Sequence, residues 1–217
     1  MFDIITASNR HLHQVKLDEM HAWRKKVFVD ERGWDLKVEN GREYDQYDDD
    51  LAIYIVEHEE NGDLVHAQRM RPTATGSMLT DQFAAAIADG RASVMNDRTW
   101  EMTRGFVTPR YRTPDRDDQR AAMRLTVLEL ARRAGIERIV TFVDVRMLPY
   151  FVNSAYRFGP LGLPIPYEEG NGIALGIEVS AGAIDEMAAT RNIVGLPIRA
   201  KHLAALGAAE NRVPVVR

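Results

Sequence analysis

The chain has 217 residues, 45% of them hydrophobic and 28% charged, with a formal net charge of −4 and no cysteine. That length and apolar content support a sizeable core and exclude a disordered chain. The acidic balance argues against a general nucleic-acid binder. The missing thiols exclude disulfides, thiolate catalysis and zinc–thiolate sites. No stretch approaches the roughly 20 apolar residues of a membrane span. The opening Met1-Phe2-Asp3-Ile4-Ile5-Thr6 lacks the basic-then-apolar pattern of a secretory leader, so a soluble cytoplasmic protein is expected.

Phe2 to Thr6 reads as a strand and Val15 to Asp30 as a helix. Leu17, Met20, Arg24, Val27 and Phe28 recur at spacings of three and four and so share a face. Arg24 thus sits inside an apolar stripe. It is either a snorkelling arginine or a guanidinium aimed into a site, which then needs carboxylate partners. Gly33 breaks the helix, Trp34 follows, and the stretch from Gly41 to Asp50 gathers acids around two tyrosines. A solvated acidic loop is one reading. A divalent-metal loop is a second, although the calcium-hand spacing is missing. The third is that Asp45 or Asp48 closes on Arg24 or Arg104.

Ala52 to His58 and Leu64 to Arg71 are β-prone runs joined through Asn61-Gly62, a strong hairpin signal. Arg69 lies in the second run, and Pro72 stops it. Thr80 to Ala88 reads as a short helix ended by Gly90. Arg98 to Val107 is the central strand, and Thr108 to Arg116 a turn rich in arginine and proline. A helix from Asp117 to Ala134, closed by Gly135, precedes a buried strand from Ile139 to Val145. Met147 to Phe158 reads as a helix, Gly172 to Ser180 as a strand and Ile184 to Thr190 as a helix. There is no internal repeat and no linker. This order predicts one α/β domain over residues 1–217, with a core of 1–180 and a C-terminal extension of 181–217, built as helices on both faces of a mixed sheet.

Within the central strand, Glu101 and Arg104 interrupt an apolar run. A charge placed there is costly unless paired or used in chemistry. Strand alternation puts Glu101, Thr103 and Gly105 on one face and Met102, Arg104 and Phe106 on the other, unless a bulge at Gly105 re-aims them. A strand-end ion pair is the alternative to a catalytic role.

Taken together, Arg24-x-x-x-Phe28, Gly33-Trp34, Asp45-x-x-Asp48, Arg69-x-x-Pro72-Thr73, Phe83 and Glu101-x-x-Arg104 resemble the acyl-homoserine-lactone synthases, the autoinducer synthases of quorum sensing. The resemblance covers roughly residues 1–180. It implies an N-acetyltransferase-like α-β-α sandwich whose central sheet is split in a V between two strands, here 98–107 and 139–145. It also implies an activity: an acyl chain moves from a pantetheine thioester, on acyl carrier protein or coenzyme A, to the amine of S-adenosylmethionine. The product then lactonises and methylthioadenosine leaves. S-adenosylmethionine is a substrate there, and no cofactor, metal, nucleic acid or membrane is implied.

By the same resemblance Glu101 and Arg104 are the catalytic candidates. Arg24, Phe28, Trp34, Asp45, Asp48 and Arg69 bind S-adenosylmethionine. Phe83, Met102, Phe106 and Thr141 line the acyl pocket. Arg110, Arg112 and Arg116, with Arg120 and Arg124, dock the thioester carrier or form a solvated basic face. The usual acetyltransferase pyrophosphate loop is absent: the turn reads Arg110-Tyr111-Arg112-Thr113-Pro114-Asp115, without glycine. Pro160-Leu161-Gly162-Leu163-Pro164 looks like the family branch that uses acyl-coenzyme A. The alternative reading is an N-acyltransferase of the same fold with another amine acceptor.

Overall fold

A computed structural model describes residues 2–88, 94–195, 201, 204 and 205. The chain divides into two compact units. The first comprises Met1–Arg71, Thr103–Pro114 and Arg199–Arg217, and the second Pro72–Met102 and Asp115–Ile198.

In the first unit, β1 (Phe2–Ile5), β4 (Ile53–His58) and β5 (Leu64–Pro72) form an antiparallel sheet, with the Asn61-Gly62 hairpin as expected. The adjoining strand is β6 (Thr99–Val107), whose Thr103–Val107 belong to this unit. Helix α1 (Gln14–Arg24) buries Leu17, Met20, His21 and Arg24, the stripe read from the sequence. Leu17 and Met20 pack with Val27 and Phe28 onto Ile5, Tyr54, Val56 and Ala67 of the sheet. The expected helix does not stay α-helical: Lys25–Glu31 winds as a π-helix. Such wide turns concentrate at functional sites, and here the segment carries Phe28. It closes at Gly33, whose φ of 74° suits glycine, and Trp34 donates its N–H back to the Phe28 carbonyl at 3.0 Å. The acidic stretch begins as a small hairpin, β2 (Val38–Glu39) on β3 (Arg42–Glu43). Its corner residues Asn40 and Gly41 have φ of 49° and 74°, a two-residue turn of the type that Asn-Gly favours. At the other end of the chain, Lys201 pairs with Asp3 at 2.7 Å and the Ala205 carbonyl accepts from Thr6.

In the second unit, Thr99–Glu101 of β6 run parallel to Arg138–Val140 of β7 (Arg138–Asp144). This ladder stops at Glu101 and Val140, although β7 continues to Asp144. β7 is antiparallel to β10 (Gly170–Glu178), which also pairs with β8 (Phe158–Pro160) and β9 (Ile165–Tyr167). The sheet is therefore mixed, as the fold class requires. Helix α3 (Asp117–Arg133) buries Ala121, Leu125 and Leu128 and packs with α5 (Ala181–Thr190).

Two helices differ from expectation. The one expected over Thr80–Ala88 is α2, Met78–Gln82, started by a capping box between Ser77 and Thr80 and followed by a 3-10 turn, Ala84–Ala86. Its expected stop, Gly90, lies outside the described residues, as do 206–217 of the C-terminal extension. The helix expected over Met147–Phe158 is only α4, Leu148–Asn153, because Ala155 turns left-handed (φ 60°) and Phe158 pairs with Ile177 of β10.

Candidate active site

The first unit holds a charged cluster built from α1, the acidic stretch, β5 and β6. Arg24 is 1% exposed and donates its Nε to Glu43 at 2.5 Å. Its Nη1 and Nη2 fork onto Asp48 at 2.7 and 3.0 Å. Arg69 forks onto Asp45 at 2.5 and 2.9 Å, reaches Asp48 at 2.9 Å, and donates its Nε to the Thr103 hydroxyl at 3.0 Å. Arg104 contacts Glu43 at 3.2 Å and Asp45 at 3.0 Å. Three guanidinium groups thus face three carboxylates, a balance that offsets the cost of burying each charge. Asp48 also accepts from the Tyr54 hydroxyl at 2.8 Å. Burial by itself would raise the Asp48 carboxyl, but Arg24 and Arg69 overcome it and hold the group well below the usual carboxylate range. Asp45 is lowered in the same way by Arg69 and Arg104.

The backbone leaves regular strand geometry at Arg104 rather than at Gly105. Arg104 itself has φ of 53°, a left-handed conformation that a non-glycine residue adopts at a cost of about 1–2 kcal/mol. That kink lets Thr103 and Arg104, which would point to opposite faces of a regular strand, both serve the same cluster. The charge-assisted bonds to Glu43 and Asp45 hold the strained residue.

Sequence reasoning missed Glu43. It is fully buried, lies between the Nε atoms of Arg24 and Arg104, and is placed by the Asn40-Gly41 turn. That Asn-Gly dipeptide was the available signal, since it makes the acidic stretch a hairpin rather than a solvated loop. His21, also missed, donates its Nδ1–H to the Glu43 carbonyl at 2.9 Å and lies against the Tyr44 ring at 4.1 Å.

Beside the cluster, Phe28 and Trp34 stack at 5.1 Å, and Phe106 meets Phe28 edge-on at 6.0 Å. Phe106, expected in an acyl pocket, is seated in this core. The guanidinium of Arg104 lies 5.7 Å from the Phe28 ring centre and that of Arg32 lies 5.2 Å from it, so the aromatic pair already takes cationic neighbours.

In the second unit, Glu101 is buried and its two oxygens accept the N–H groups of Met78, at 3.0 Å, and Leu79, at 2.6 Å, at the start of α2. Glu101 pairs with Val140 across the ladder, so its side chain shares a face with Val140 and Phe142. Phe83 stacks on Phe142 at 3.9 Å, and Tyr167 meets Phe142 edge-on at 5.6 Å. Met102 and Thr141 fall on the opposite face, with Trp100 and Ile139. Thr141 is therefore not brought beside Phe83.

Of the basic residues, Arg110 is 73% exposed and paired with Asp63 at 2.5 Å. Arg112 donates to Glu31 at 2.9 Å and to the Val107 carbonyl at 2.7 Å. Arg116 ends a 3-10 turn, Pro114–Arg116, directly before α3. Arg120 and Arg124 follow on α3 within 3.7 and 3.9 Å of Asp117.

The mixed sheet with its truncated β6–β7 ladder places the chain in the class of N-acetyltransferase-like folds. An N-acetyltransferase structure from Lactobacillus plantarum shares that fold, with a TM-score of 0.56 at 16% identity over 82% of this chain and 99% of its own. More narrowly, the chain belongs to the autoinducer synthase family, whose model matches residues 8–187. The isovaleryl-homoserine lactone synthase of Bradyrhizobium diazoefficiens is 29% identical over 202 residues, covering 91% of this chain and 87% of the relative. The structure of BjaI, a coenzyme-A-dependent acyl-homoserine lactone synthase with S-adenosylmethionine and isopentyl-coenzyme A, superposes with a TM-score of 0.80. It is 27% identical and covers 96% of this chain and 99% of its own. Among the described residues, no helix is long and apolar enough to cross a membrane.

Proposed function

We propose that this chain is an acyl-homoserine-lactone synthase that acylates the amine of S-adenosylmethionine from an acyl thioester and then closes the lactone. The observation that carries the reading is the buried three-on-three charge cluster beside the Phe28–Trp34 pair. S-adenosylmethionine presents a carboxylate, an ammonium and a sulfonium. Guanidinium groups suit the first, carboxylates the second and aromatic faces the third. Arg24, Arg69 and Arg104 with Asp45 and Asp48 are assigned to the amino-acid end, and Phe28 and Trp34 to the sulfonium.

The attacking amine must be neutral, yet a free α-amine has a pKa of about 8. Glu101 is assigned as the base. Each of its oxygens already accepts one backbone N–H, and a carboxylate oxygen has a second lone pair, at which a water relays the proton. The amine nitrogen attacks the thioester carbonyl, the C–S bond breaks, and the thiolate leaves and takes a proton. The methionyl carboxylate then displaces the sulfonium from its own γ-carbon, and methylthioadenosine departs neutral. That second step needs alignment rather than a base, and alignment alone can be worth about 7–11 kcal/mol.

Coenzyme A is the favoured thioester carrier over acyl carrier protein. The exposed Arg110 and Arg112 are already paired with Asp63 and Glu31, which leaves less free positive charge for an acidic carrier, and BjaI is coenzyme-A-dependent by name. The test supplies S-adenosylmethionine with acyl-coenzyme A and with the same acyl group on carrier protein. Methylthioadenosine released in step with an acyl lactone is expected, faster from coenzyme A. Acylation of another amine without methylthioadenosine would sink the reading.

A further inference from the structure

The Phe28 ring is 1% exposed, so a ligand that is to touch it has to move a neighbour. Two rings and two guanidinium groups lie against it. Trp34 stacks on it at 5.1 Å, Phe106 meets it edge-on at 6.0 Å, and Arg104 and Arg32 lie 5.7 and 5.2 Å from its centre. Three of these are held. Phe106 is buried and seated in the core of the first unit. Arg104 is bound to Glu43 and Asp45. Trp34 packs against the same core, and its N–H is tied to the Phe28 carbonyl. Arg32 differs. It is exposed, and its guanidinium also lies 5.4 Å from the Trp34 ring centre, so one surface cation spans both members of the pair.

The local backbone puts it there. Arg32 follows Phe28 by four residues at the end of the π-helical segment, and its N–H donates to the Val29 carbonyl. Gly33, at a φ of 74°, then turns the chain so that Trp34 comes back onto Phe28. The turn that stacks the two rings thereby lays the arginine across them. A guanidinium so placed is attracted by the ring quadrupole, but only modestly at an exposed site. Its long stem lets the head swing out into water.

We propose that Arg32 stands in for the substrate's sulfonium on the Phe28–Trp34 pair, and that S-adenosylmethionine binds by displacing it. The inference rests on that pair receiving the sulfonium, as proposed above. Arg32 then sets substrate affinity without touching the reacting atoms. One cation leaves the rings as another arrives, and the apparent affinity is lowered by the fraction of time the arginine covers them. When lactone closure turns the sulfonium into the neutral thioether of methylthioadenosine, the product loses its cationic hold on the rings. Arg32 competes for them again, which favours release.

The experiment compares the native protein with Arg32→Gln, Arg32→Lys and Lys37→Gln. Each is titrated calorimetrically with S-adenosylmethionine alone and assayed for methylthioadenosine release with an acyl-coenzyme A. Arg32→Gln removes the competing cation, and its Kd and KM for S-adenosylmethionine are expected to fall about two- to fivefold. Its kcat should stay nearly unchanged, as for any change in uniform binding, and inhibition by methylthioadenosine should strengthen. Arg32→Lys keeps a cation within reach of the rings and should stay near native. Lys37, three residues beyond Trp34, is 69% exposed and paired with Glu39; Lys37→Gln controls for the loss of one positive charge and should leave both constants unchanged. Native or weaker affinity in Arg32→Gln overturns the proposal, as does an equal gain in Lys37→Gln. A native protein that binds S-adenosylmethionine but releases no methylthioadenosine fails the activity reading, and the Kd comparison still decides the role of Arg32. Absence of S-adenosylmethionine binding in every protein overturns both.

Discussion

Arg24 and Asp48 meet as a two-point fork, Nη1 on Oδ1 at 2.7 Å and Nη2 on Oδ2 at 3.0 Å, with the arginine 1% exposed. A planar guanidinium paired this way is held in direction as well as in place. The remaining Nε of Arg24 goes to Glu43, so the side chain has no freedom to drift, and the acids that share it are equally fixed.

Asp48→Asn removes one charge from a buried pair and should destabilise the fold by about 3–5 kcal/mol. Methylthioadenosine release should fall with it. Asp50, 83% exposed and 3.5 Å from Arg10, is the control: Asp50→Asn should stay within about 0.5 kcal/mol. Thermal melts and turnover on both variants decide the matter. Equal effects would reduce the acidic stretch to general surface charge.

Glu43→Gln tests the residue that composition and spacing overlooked. Its carboxylate faces two Nε donors, so the amide must turn an NH2 towards one of them. The expected result is a loss of at least about 1–3 kcal/mol in stability, together with a raised KM for S-adenosylmethionine. A variant with native Tm and KM would show that Arg24 and Arg104 are held by Asp45 and Asp48 alone.

Glu101→Gln should lower kcat by about a hundredfold or more if the carboxylate is the base. A sequence-level argument expects folding to change little. The structure revises that expectation, because both oxygens accept backbone N–H groups of α2 and a glutamine has only one acceptor to offer. A fall in Tm is therefore expected in addition. The roles separate by pH: partial rescue of kcat at high pH reports a missing base, whereas a pH-independent loss proportional to unfolding reports a structural anchor only.

His21 gives the chain a stability that depends on pH. Burial, with the nearby Arg24 cation adding to it, depresses the imidazole to about 4 from the ordinary 6.5. The unfolded chain therefore binds the proton first on acidification. The contribution of this residue is fully present above about 6.5 and is lost progressively as pH falls towards about 4, at roughly 1.4 kcal/mol per pH unit. Melting temperatures across that window should fall steeply in the native protein and less steeply in His21→Phe. Identical slopes would assign the acid sensitivity of that window to another group; Asp3, which Lys16 and Lys201 lower to about 2 against its burial, loses its contribution only below about 4.

Periodicity and turn chemistry were enough for much of the fold. The α1 stripe, the Asn61-Gly62 hairpin, the central strand and the helix closed at Gly135 are all local patterns, and their burial follows from their period. An arginine inside an apolar stripe with acids spaced three apart also made the charged cluster legible, because a buried cation has to find carboxylates. What local pattern cannot carry is the choice among partners and faces. Glu43 looked like one more surface acid until the Asn40-Gly41 turn carried it under Arg24 and Arg104. The left-handed kink belongs to Arg104 rather than to the more permissive Gly105, because two carboxylates reward that strain and none rewards it at the glycine. Glu101 could be read as an acid in a strand, but its hold on α2 depends on a helix start more than 20 residues earlier in the chain. Thr141 shows the same limit from the other side: the resemblance put it in one pocket with Phe83, and alternation along β7 sets it on the face opposite to Phe142, on which Phe83 stacks. Spacing along a chain sets which residues share an element, while register, kinks and long-range hydrogen bonds decide which of them meet, and those depend on energies summed over contacts far apart in sequence.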